Sequence, residues 1–514
     1  MSFILHPNLE DLKSTLLFAL TDTQVAIRTT AAIGLALLWY LTTKDSGNIK
    51  KIRGWPLIGH WRFFTKRHDF LLEGFGKFPN EPMFGFNILQ HNVVALKGET
   101  ARKVFFDRKD LSFTEGYRLL FGGGPDLKDV VPDVKDKNDQ EQSSWVLKRL
   151  TPLLRMERIA QLAPLFMSDL ERNLTKWGDS GQFDPFEDMY TVVFQLTIRA
   201  GGCREIADSI EQCKRMEDLF WAIDEGATPT AVLFPWIPSA ARRKKIKATG
   251  DVFDWFDHII KARRQEERRE DDALQMLLDL GYSTTDVIEF VLFTLFAGII
   301  NTGLMSAWLF IFLDQEPEWR DKVVHELRVM LDKYVPILDN HVTITERLSN
   351  VPPHAWENEL PILDDCIRET IRRILSTAML RRVINGETEI AGKTIPNGTF
   401  LVYSAGEVHN DPSIYPDPTR FNPGRYADGQ DKSQTYGFLG WGVGRHPCLG
   451  HRFAQYEIKV ISGVFLTVYE YEVISSKGKR PDPSLTAPDR NNMHQARPKD
   501  ETFYLKYKKR YPKI

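Results

Sequence analysis

The chain has 514 residues, with 67 Lys and Arg against 69 Asp and Glu and a net charge of −2. Because the charges nearly cancel, the protein has no strong net electrostatic field that would attract a nucleic acid or an acidic substrate. No nucleic-acid partner is therefore expected. Four cysteines (Cys203, Cys213, Cys366 and Cys448) cannot form a disulfide framework in so long a chain, which fits a reducing cytosol. The first three are expected to be buried apolar residues.

The N-terminal region predicts a membrane anchor over residues 25–42. Its uninterrupted apolar part, Ala31 to Leu41, is shorter than the roughly 20 residues that span a bilayer. Arg28 can lengthen the usable span because its long side chain reaches the interface. A secretory signal is the alternative, but no small-residue cleavage site follows the apolar run.

The charges that follow this run set its orientation. Lys44, Lys50, Lys51 and Arg53 follow the apolar residues, so this end faces the cytosol and residues 1–24 face the lumen. The protein is therefore expected to be single-pass, with residues 43–60 as a basic, proline-containing hinge and 61–514 as one cytosolic domain.

Three segments follow the hinge. Phe84 to Leu96 alternates weakly and predicts strands of a small sheet. Phe113 to Pro125 is rich in aromatic residues and glycine; a surface loop is one interpretation, and a cover for a lipophilic ligand is the preferred one. Trp145 and Arg149 lie four residues apart, on one face of a predicted helix.

An apolar tip lies next to a basic run in the middle of the chain. Leu233 to Pro238 is mostly apolar, and five basic residues follow it: Arg242, Arg243, Lys244, Lys245 and Lys247. A basic run is usually a solvated face, but beside an apolar tip it can also approach an anionic membrane surface.

A long apolar helix is predicted from Ser283 or Thr284, either of which can cap it, to about Leu313. Because it is apolar nearly all round, it should be buried at the centre of the protein. A second membrane span is the alternative. We reject it because motifs that must pack together lie on both sides of it in the sequence.

The C-terminal third contains the most informative motifs. Glu369 and Arg372 are three residues apart on a predicted helix and can pair. Gly437 to Gly450 holds five glycines and Cys448, and a helix-forming run follows at once. The N-terminus of that helix would favour a thiolate at Cys448, and a thiolate on a rigid loop is a suitable ligand for a haem iron.

The segment Trp441 to Gly450 resembles the cysteine-ligand loop of the cytochrome P450 family, with Trp441 and His446 as variants of the commoner residues. The resemblance implies a mainly α (α+β) fold, with a large helical domain and a small β-sheet region. It implies haem b as cofactor and Cys448 as the metal ligand. Trp145, Arg149, Arg381 and His446 would contact the haem propionates, and Arg425 would complete a buried triad with Glu369 and Arg372.

The central helix departs from the family pattern. In Ala297 to Thr302, Ile300 replaces the usual acidic residue and Asn301 the usual threonine, a pair that normally relays protons. Asn301 and Thr302 are then the candidate catalytic residues. At three positions, Asn301, Trp308 and Trp441, the sequence is similar to the branch of the family that contains the bile-acid steroid hydroxylases and prostacyclin synthase.

The resemblance implies a monooxygenase of the endoplasmic reticulum membrane that oxidises a sterol, a terpenoid or another lipophilic secondary metabolite. No glycine-rich dinucleotide fingerprint is present, so electrons would come from NADPH–cytochrome P450 reductase. Arg445, Arg452 and Lys459 are candidates for contacting this partner, and they can equally be ordinary surface residues or contacts to the propionates. A peroxide isomerase or dehydratase that needs no reductase is one alternative, and a non-catalytic haem-binding protein is another.

Overall fold

The computed structural model describes residues 27–34, 49–55, 58–120, 127, 130, 139–234, 236–336, 343–483, 486–492, 496–499 and 501–510. Of the predicted anchor, only residues 27–34 are described, and they are helical and exposed. The predicted lumenal segment 1–24 lies outside the described residues. The hinge is described at 49–55 and 58–60, where Trp55 and Gly59 exchange two backbone hydrogen bonds of 3.0 and 2.7 Å.

Helices form most of the structure, as predicted. In chain order they are α1 Arg62–Thr65, α2 Arg67–Lys77, α3 Glu99–Asp107, α4 Phe113–Leu120, α5 Asp139–Leu153, α6 Met156–Trp177, α7 Pro185–Gly201, α8 Arg204–Ala207, α9 Ile210–Glu225, α10 Pro229–Leu233, α11 Ala240–Gln265, α12 Ala273–Asp279, α13 Thr284–Gln315, α14 Pro317–Tyr334, α15 Ile344–Ser349, α16 Pro353–Asn358, α17 Pro361–Ile374, α18 Ala405–His409 and α19 His451–Val468.

The strands make a small β region. They are β1 Met83–Ile88, β2 His91–Leu96, β3 Leu111–Ser112, β4 Ser180–Phe183, β5 Ala378–Val383, β6 Thr388–Ile390, β7 Lys393–Ile395, β8 Phe400–Ser404, β9 Tyr469–Ser475 and β10 Phe503–Lys509. The largest sheet in the described part of the chain has the order β1-β2-β8-β5-β3, and its one parallel pair is β2 with β8. Strands β1 and β2 confirm the prediction for Phe84 to Leu96.

The central helix α13 forms as predicted. Ser283 is its N-cap, and its side chain accepts a hydrogen bond of 3.1 Å from the Asp286 N–H. The helix packs along α7, and α17 and α19 also pack on it. It is long and apolar enough to cross a membrane, but residues such as Trp308 are fully buried within the helical core. Burial among other helices explains its composition without a second span.

The segment from Phe113 to Pro125 differs from the prediction. Its first part is helix α4 rather than a loop, and residues 121–126 lie outside the described residues. Helix α4 lies directly on β5, because a methyl group at Gly116 would stand 2.6 Å from the Arg381 Cα atom. Only a glycine permits this approach, which brings Phe113 next to Arg381.

Candidate active site

The loop that carries Cys448 is a compact turn held by its own backbone. Gly442 and Gly444 have positive φ angles of 67° and 64°, which L-residues with a side chain rarely adopt. The Cys448 N–H donates to the Trp441 carbonyl at 2.7 Å, and the Arg445 N–H donates to the Phe106 carbonyl on α3 at 3.1 Å. The cysteine is therefore fixed both within the loop and against α3.

Cys448 is exposed, whereas Cys203, Cys213 and Cys366 are buried as predicted. The protein around its sulfur nevertheless raises the pKa of the Cys448 thiol, chiefly by desolvation, and the Gly450 N–H lowers it only in part. Helix α19 begins at His451, three residues after the cysteine. Because a bound metal favours the deprotonated sulfur, the thiolate expected at Cys448 stays a prediction.

A buried ionic cluster supports the loop from behind. Both Arg372 nitrogens that face Glu369 lie 2.7–2.8 Å from its carboxylate, and Arg425 Nε donates to the same carboxylate at 3.1 Å. The Glu369 and Arg372 side chains are 0% exposed. Tyr426 Oη donates to Glu369 as well, at 3.2 Å. The predicted pairing is present, and several hydrogen bonds satisfy these buried charges.

His409 connects this cluster to the cysteine loop. Arg372 donates to the His409 carbonyl at 2.7 Å, and the imidazole Nε2 accepts a hydrogen bond from the Leu439 N–H at 2.9 Å. Full burial and the nearby Arg372 charge lower the pKa of His409 to about 3. The ring is therefore neutral, as an acceptor at Nε2 requires. His409 was not predicted from the sequence, where its one signal is its position just before residues 410–418, a segment with three prolines.

His446 of the loop and Arg381 of β5 lie on the same aromatic ring, that of Phe113. The His446 ring stacks on Phe113 with centroids 5.2 Å apart, and the Arg381 guanidinium carbon lies 5.0 Å from the same Phe113 ring. Arg381 also lies 5.0 Å from the Phe105 ring centroid. The buried Arg381 cation and the His446 imidazole therefore both contact the Phe113 ring. Together they could bind a ligand that has an anionic group at the edge of a flat apolar ring.

Trp145 and Arg149 have other neighbours in this structure. The Arg149 guanidinium lies 4.4 Å from the Trp145 ring and 3.8 Å from the Tyr282 ring, and it is 3.5 Å from the Asp286 carboxylate. Asp286 is 15 residues before Asn301, about 22 Å along the helix at 1.5 Å per residue. The structure thus places this pair at the N-terminal end of α13, and their contact with a propionate remains a prediction.

The central helix presents one exposed stripe. Phe293, Ala297 and Asn301 are exposed, although most other residues of α13 are buried or partly buried. They are four residues apart, so they share one face. Asn301 is the polar residue of this stripe. Thr302 is only 3% exposed, and its carbonyl accepts a hydrogen bond from Ser306. Of the two candidate catalytic residues, the geometry places Asn301 alone on the open face.

The described residues fit a haem. The loop offers one accessible thiol on a turn with little side-chain bulk, and His446 and Arg381 provide groups for an anionic edge. The Phe293–Asn301 stripe is an exposed, mostly apolar surface of the kind that a large apolar ring needs. A separate surface groove of about 1590 Å³ between α7, α9 and α11 is lined largely by charged residues and does not include Cys448 or Asn301.

Two of the three cations expected at a partner surface are already paired. Lys459 is 1% exposed and binds Asp364 at 2.8 Å, so its assignment to a docking surface is wrong. Arg452 is exposed but makes a bidentate pair with Glu357, at 2.6 and 2.9 Å. Arg445 is exposed and remains a candidate contact.

Comparison with known proteins gives consistent matches. Residues 50–496 match the family model for cytochrome P450. The chain is 31% identical to the cytochrome P450 monooxygenase AacuE of Aspergillus aculeatus, over 82% of this chain and 86% of the relative. It is 26% identical to lanosterol 14-alpha demethylase of Homo sapiens, over 82% of this chain and 80% of that enzyme.

Among solved structures, a retinoic-acid-bound cyanobacterial CYP120A1 has a similar fold. The TM-score is 0.69 at 20% identity, and the match covers 91% of this chain and all of that one. The large helical region with small sheets that the sequence predicts is therefore a known architecture.

Proposed function

Because the chain belongs to the cytochrome P450 family of haem-b monooxygenases, we propose that Cys448 is the iron ligand and that the substrate is a lipophilic small molecule. The substrate class is a sterol, a terpenoid or another secondary metabolite. Electrons come from NADPH–cytochrome P450 reductase. Cys448 carries the proposal, since it is the exposed cysteine and lies on a braced glycine-rich turn. When bound through a thiolate, haem supplies the activation of dioxygen.

Replacement of the ligand tests this assignment directly. Cys448→Ser should abolish the carbon-monoxide difference band that thiolate ligation gives to the reduced protein. Cys366→Ser changes a cysteine that is buried in α17 and should keep the band. An unchanged Soret position in Cys448→Ser would refute the assignment.

The polar groups near the loop are proposed to hold the anionic edge of the haem. Arg381 and His446 contribute a guanidinium and an imidazole beside Phe113. Charge-assisted hydrogen bonds to carboxylates are among the strongest in proteins, so these two residues orient the ring. Arg149 and Trp145 are proposed to contribute at the same edge, which requires Arg149 to exchange its Asp286 partner for a propionate.

Asn301 is proposed to position a water and move protons on the open face of α13. Its side-chain amide can donate and accept hydrogen bonds, whereas Ile300 can do neither. Thr302 is buried and would act only through the backbone around Asn301. If Asn301→Ala keeps full coupling of NADPH oxidation to product formation, this role is refuted.

A peroxide isomerase or dehydratase is the second candidate. The observation that favours it is the replacement of the acid and threonine pair by Ile300 and Asn301. Turnover of a lipid hydroperoxide without NADPH or reductase would support this activity. NADPH-dependent product formation, with no turnover of the hydroperoxide alone, would support the monooxygenase.

We also propose that the enzyme lies on the endoplasmic reticulum membrane, with its catalytic domain in the cytosol. Trp236 and Trp55 are 72% and 76% exposed, and Ile237 is also exposed. Tryptophan side chains of this kind favour the membrane interface. With the full chain on vesicles, Trp236→Ser should reduce the quenching of tryptophan fluorescence by brominated lipid; unchanged quenching would exclude this tip as a contact.

A further inference from the structure

Tyr190 is a buried tyrosine that the proposed function does not use. It lies on α7 and is 1% exposed. Its Oη atom donates a hydrogen bond of 3.2 Å to the Ile300 carbonyl of α13. Because a carbonyl oxygen carries no proton, the tyrosine hydroxyl has to be the donor. Burial raises the pKa of Tyr190, so the hydroxyl keeps the proton that this bond needs.

The Tyr190 ring is held in the place that this bond requires. A methyl group at Gly303 would lie 2.6 Å from Tyr190 Cδ1 and 2.8 Å from Tyr190 Cε1, so a glycine is needed there for the ring to lie against α13. The Trp221 ring of α9 meets the tyrosine ring edge to face, with centroids 5.3 Å apart. Gly303 and Trp221 therefore fix the ring, and the ring fixes the position of its hydroxyl.

The bonded carbonyl belongs to the peptide unit that begins Asn301. The Ile300 C=O and the Asn301 N–H lie in one rigid plane, because the peptide bond has partial double-bond character. In the continuous helix α13 this carbonyl also faces the N–H of Leu304, and its second lone pair is available to Tyr190. No described residue hydrogen-bonds to the Asn301 side chain. The direction of the Asn301 amide therefore depends on the backbone that Tyr190 holds.

We propose that Tyr190 is a positioning residue that orients Asn301 on the open face of α13 through the Ile300 carbonyl. Without the tyrosine hydroxyl, the peptide unit between Ile300 and Asn301 can tilt back toward the helix axis. That tilt turns the Asn301 amide away from the place where it holds a water. The inference rests on the proposed role of Asn301.

Removal of the hydroxyl alone tests this role. Tyr190→Phe keeps the ring on Gly303 and loses the donor. The net contribution of one neutral hydrogen bond corresponds to about two- to tenfold in an equilibrium, so the ratio of product to NADPH should fall by about two- to tenfold. The C–O stretching frequency of carbon monoxide on the reduced holoprotein should also shift, because it responds to the polar groups around that ligand. If Tyr190→Phe leaves the ratio and the frequency at their wild-type values, the proposal is overturned.

Tyr471 provides a matched control on the same helix. Its Oη atom donates to the Phe310 carbonyl of α13 at 2.8 Å, and its side chain is also buried. Phe310 is nine residues after Asn301, about 14 Å along the helix at 1.5 Å per residue. Tyr471→Phe should therefore keep the coupling and the C–O frequency of the wild type. Equal changes in Tyr190→Phe and Tyr471→Phe would mean that Tyr190 only stabilises α13, which would also overturn the proposal.

A double variant shows whether Tyr190 acts through Asn301. Added to Asn301→Ala, Tyr190→Phe should cause no further loss of coupling, since the residue that it orients is then absent. A further loss would contradict the proposal. If the proposed function fails, the wild type itself forms no NADPH-dependent product. The C–O frequency then decides the inference by itself, because it should shift in Tyr190→Phe and Asn301→Ala and stay unchanged in Tyr471→Phe.

Discussion

Replacement of Gly444 by alanine should be among the most damaging small changes in the cysteine loop. Gly444 has φ +64°, and an added Cβ would lie 2.4 Å from the Phe106 carbonyl oxygen. An L-residue in this conformation costs about 1–2 kcal/mol, and forcing an atom into a packed site costs about 1–3 kcal/mol more. Gly444→Ala should therefore lower the free energy of unfolding by about 2–5 kcal/mol.

Gly429→Ala isolates the steric part of this effect. Gly429 has nearly the same φ, +68°, but an added Cβ meets nothing within 4 Å. This variant should lose only the conformational cost of about 1–2 kcal/mol. Urea unfolding followed by tryptophan fluorescence gives both values, and the Soret-to-280 nm absorbance ratio reports haem retention. The reasoning is refuted if Gly444→Ala is no less stable than Gly429→Ala and retains as much haem.

Three further predictions concern buried ionisable side chains. His409 has a pKa of about 3 in the folded protein and 6.5 in the unfolded chain. Its contribution to the free energy of unfolding is therefore complete above pH 6.5 and falls by about 1.4 kcal/mol per pH unit below it. His409→Gln should flatten this part of the stability profile measured by urea unfolding at several pH values, and a slope equal to that of the wild type would contradict the prediction. Glu369→Gln leaves the buried Arg372 and Arg425 with a neutral partner and should lower the free energy of unfolding by about 3–5 kcal/mol. The control is Glu73→Gln, which removes an exposed pair with Arg62 and should leave the urea midpoint unchanged. Equal midpoints for the two variants would exclude a structural role for Glu369 and its two arginines. Arg381→Ala should remove a charge-assisted hydrogen bond to the haem, worth about 1.5–3 kcal/mol, and so speed haem transfer to apomyoglobin by about tenfold or more. Arg149→Ala should have a smaller effect. The opposite order would mean that Arg149 holds the haem more strongly than Arg381 does.

The sequence predicted the features of the candidate site that depend on nearby residues in the chain and missed those that depend on distant ones. The glycine and cysteine spacing around Cys448 and the pair Glu369 and Arg372 depend on neighbours in the chain, so the sequence contains them. His409 was missed because its partners, Arg372 and Leu439, are about thirty residues or more away from it along the chain. Lys459 was assigned to the surface because its charge is visible in the sequence, whereas its partners on α16 and α17 are not.

By itself, the sequence determined the apolar central helix with its Ser283 cap, the strands near residue 84, and the glycine-rich turn that carries Cys448. These follow from periodicity, capping and turn preferences, which act over a few residues. Only the tertiary structure decided which side of α13 stays open, and so separated Asn301 from Thr302. It also placed Tyr190 against the Ile300 carbonyl across 110 residues. Burial and long-range contact decide which groups are charged and accessible, because neither is a property of a residue and its chain neighbours alone.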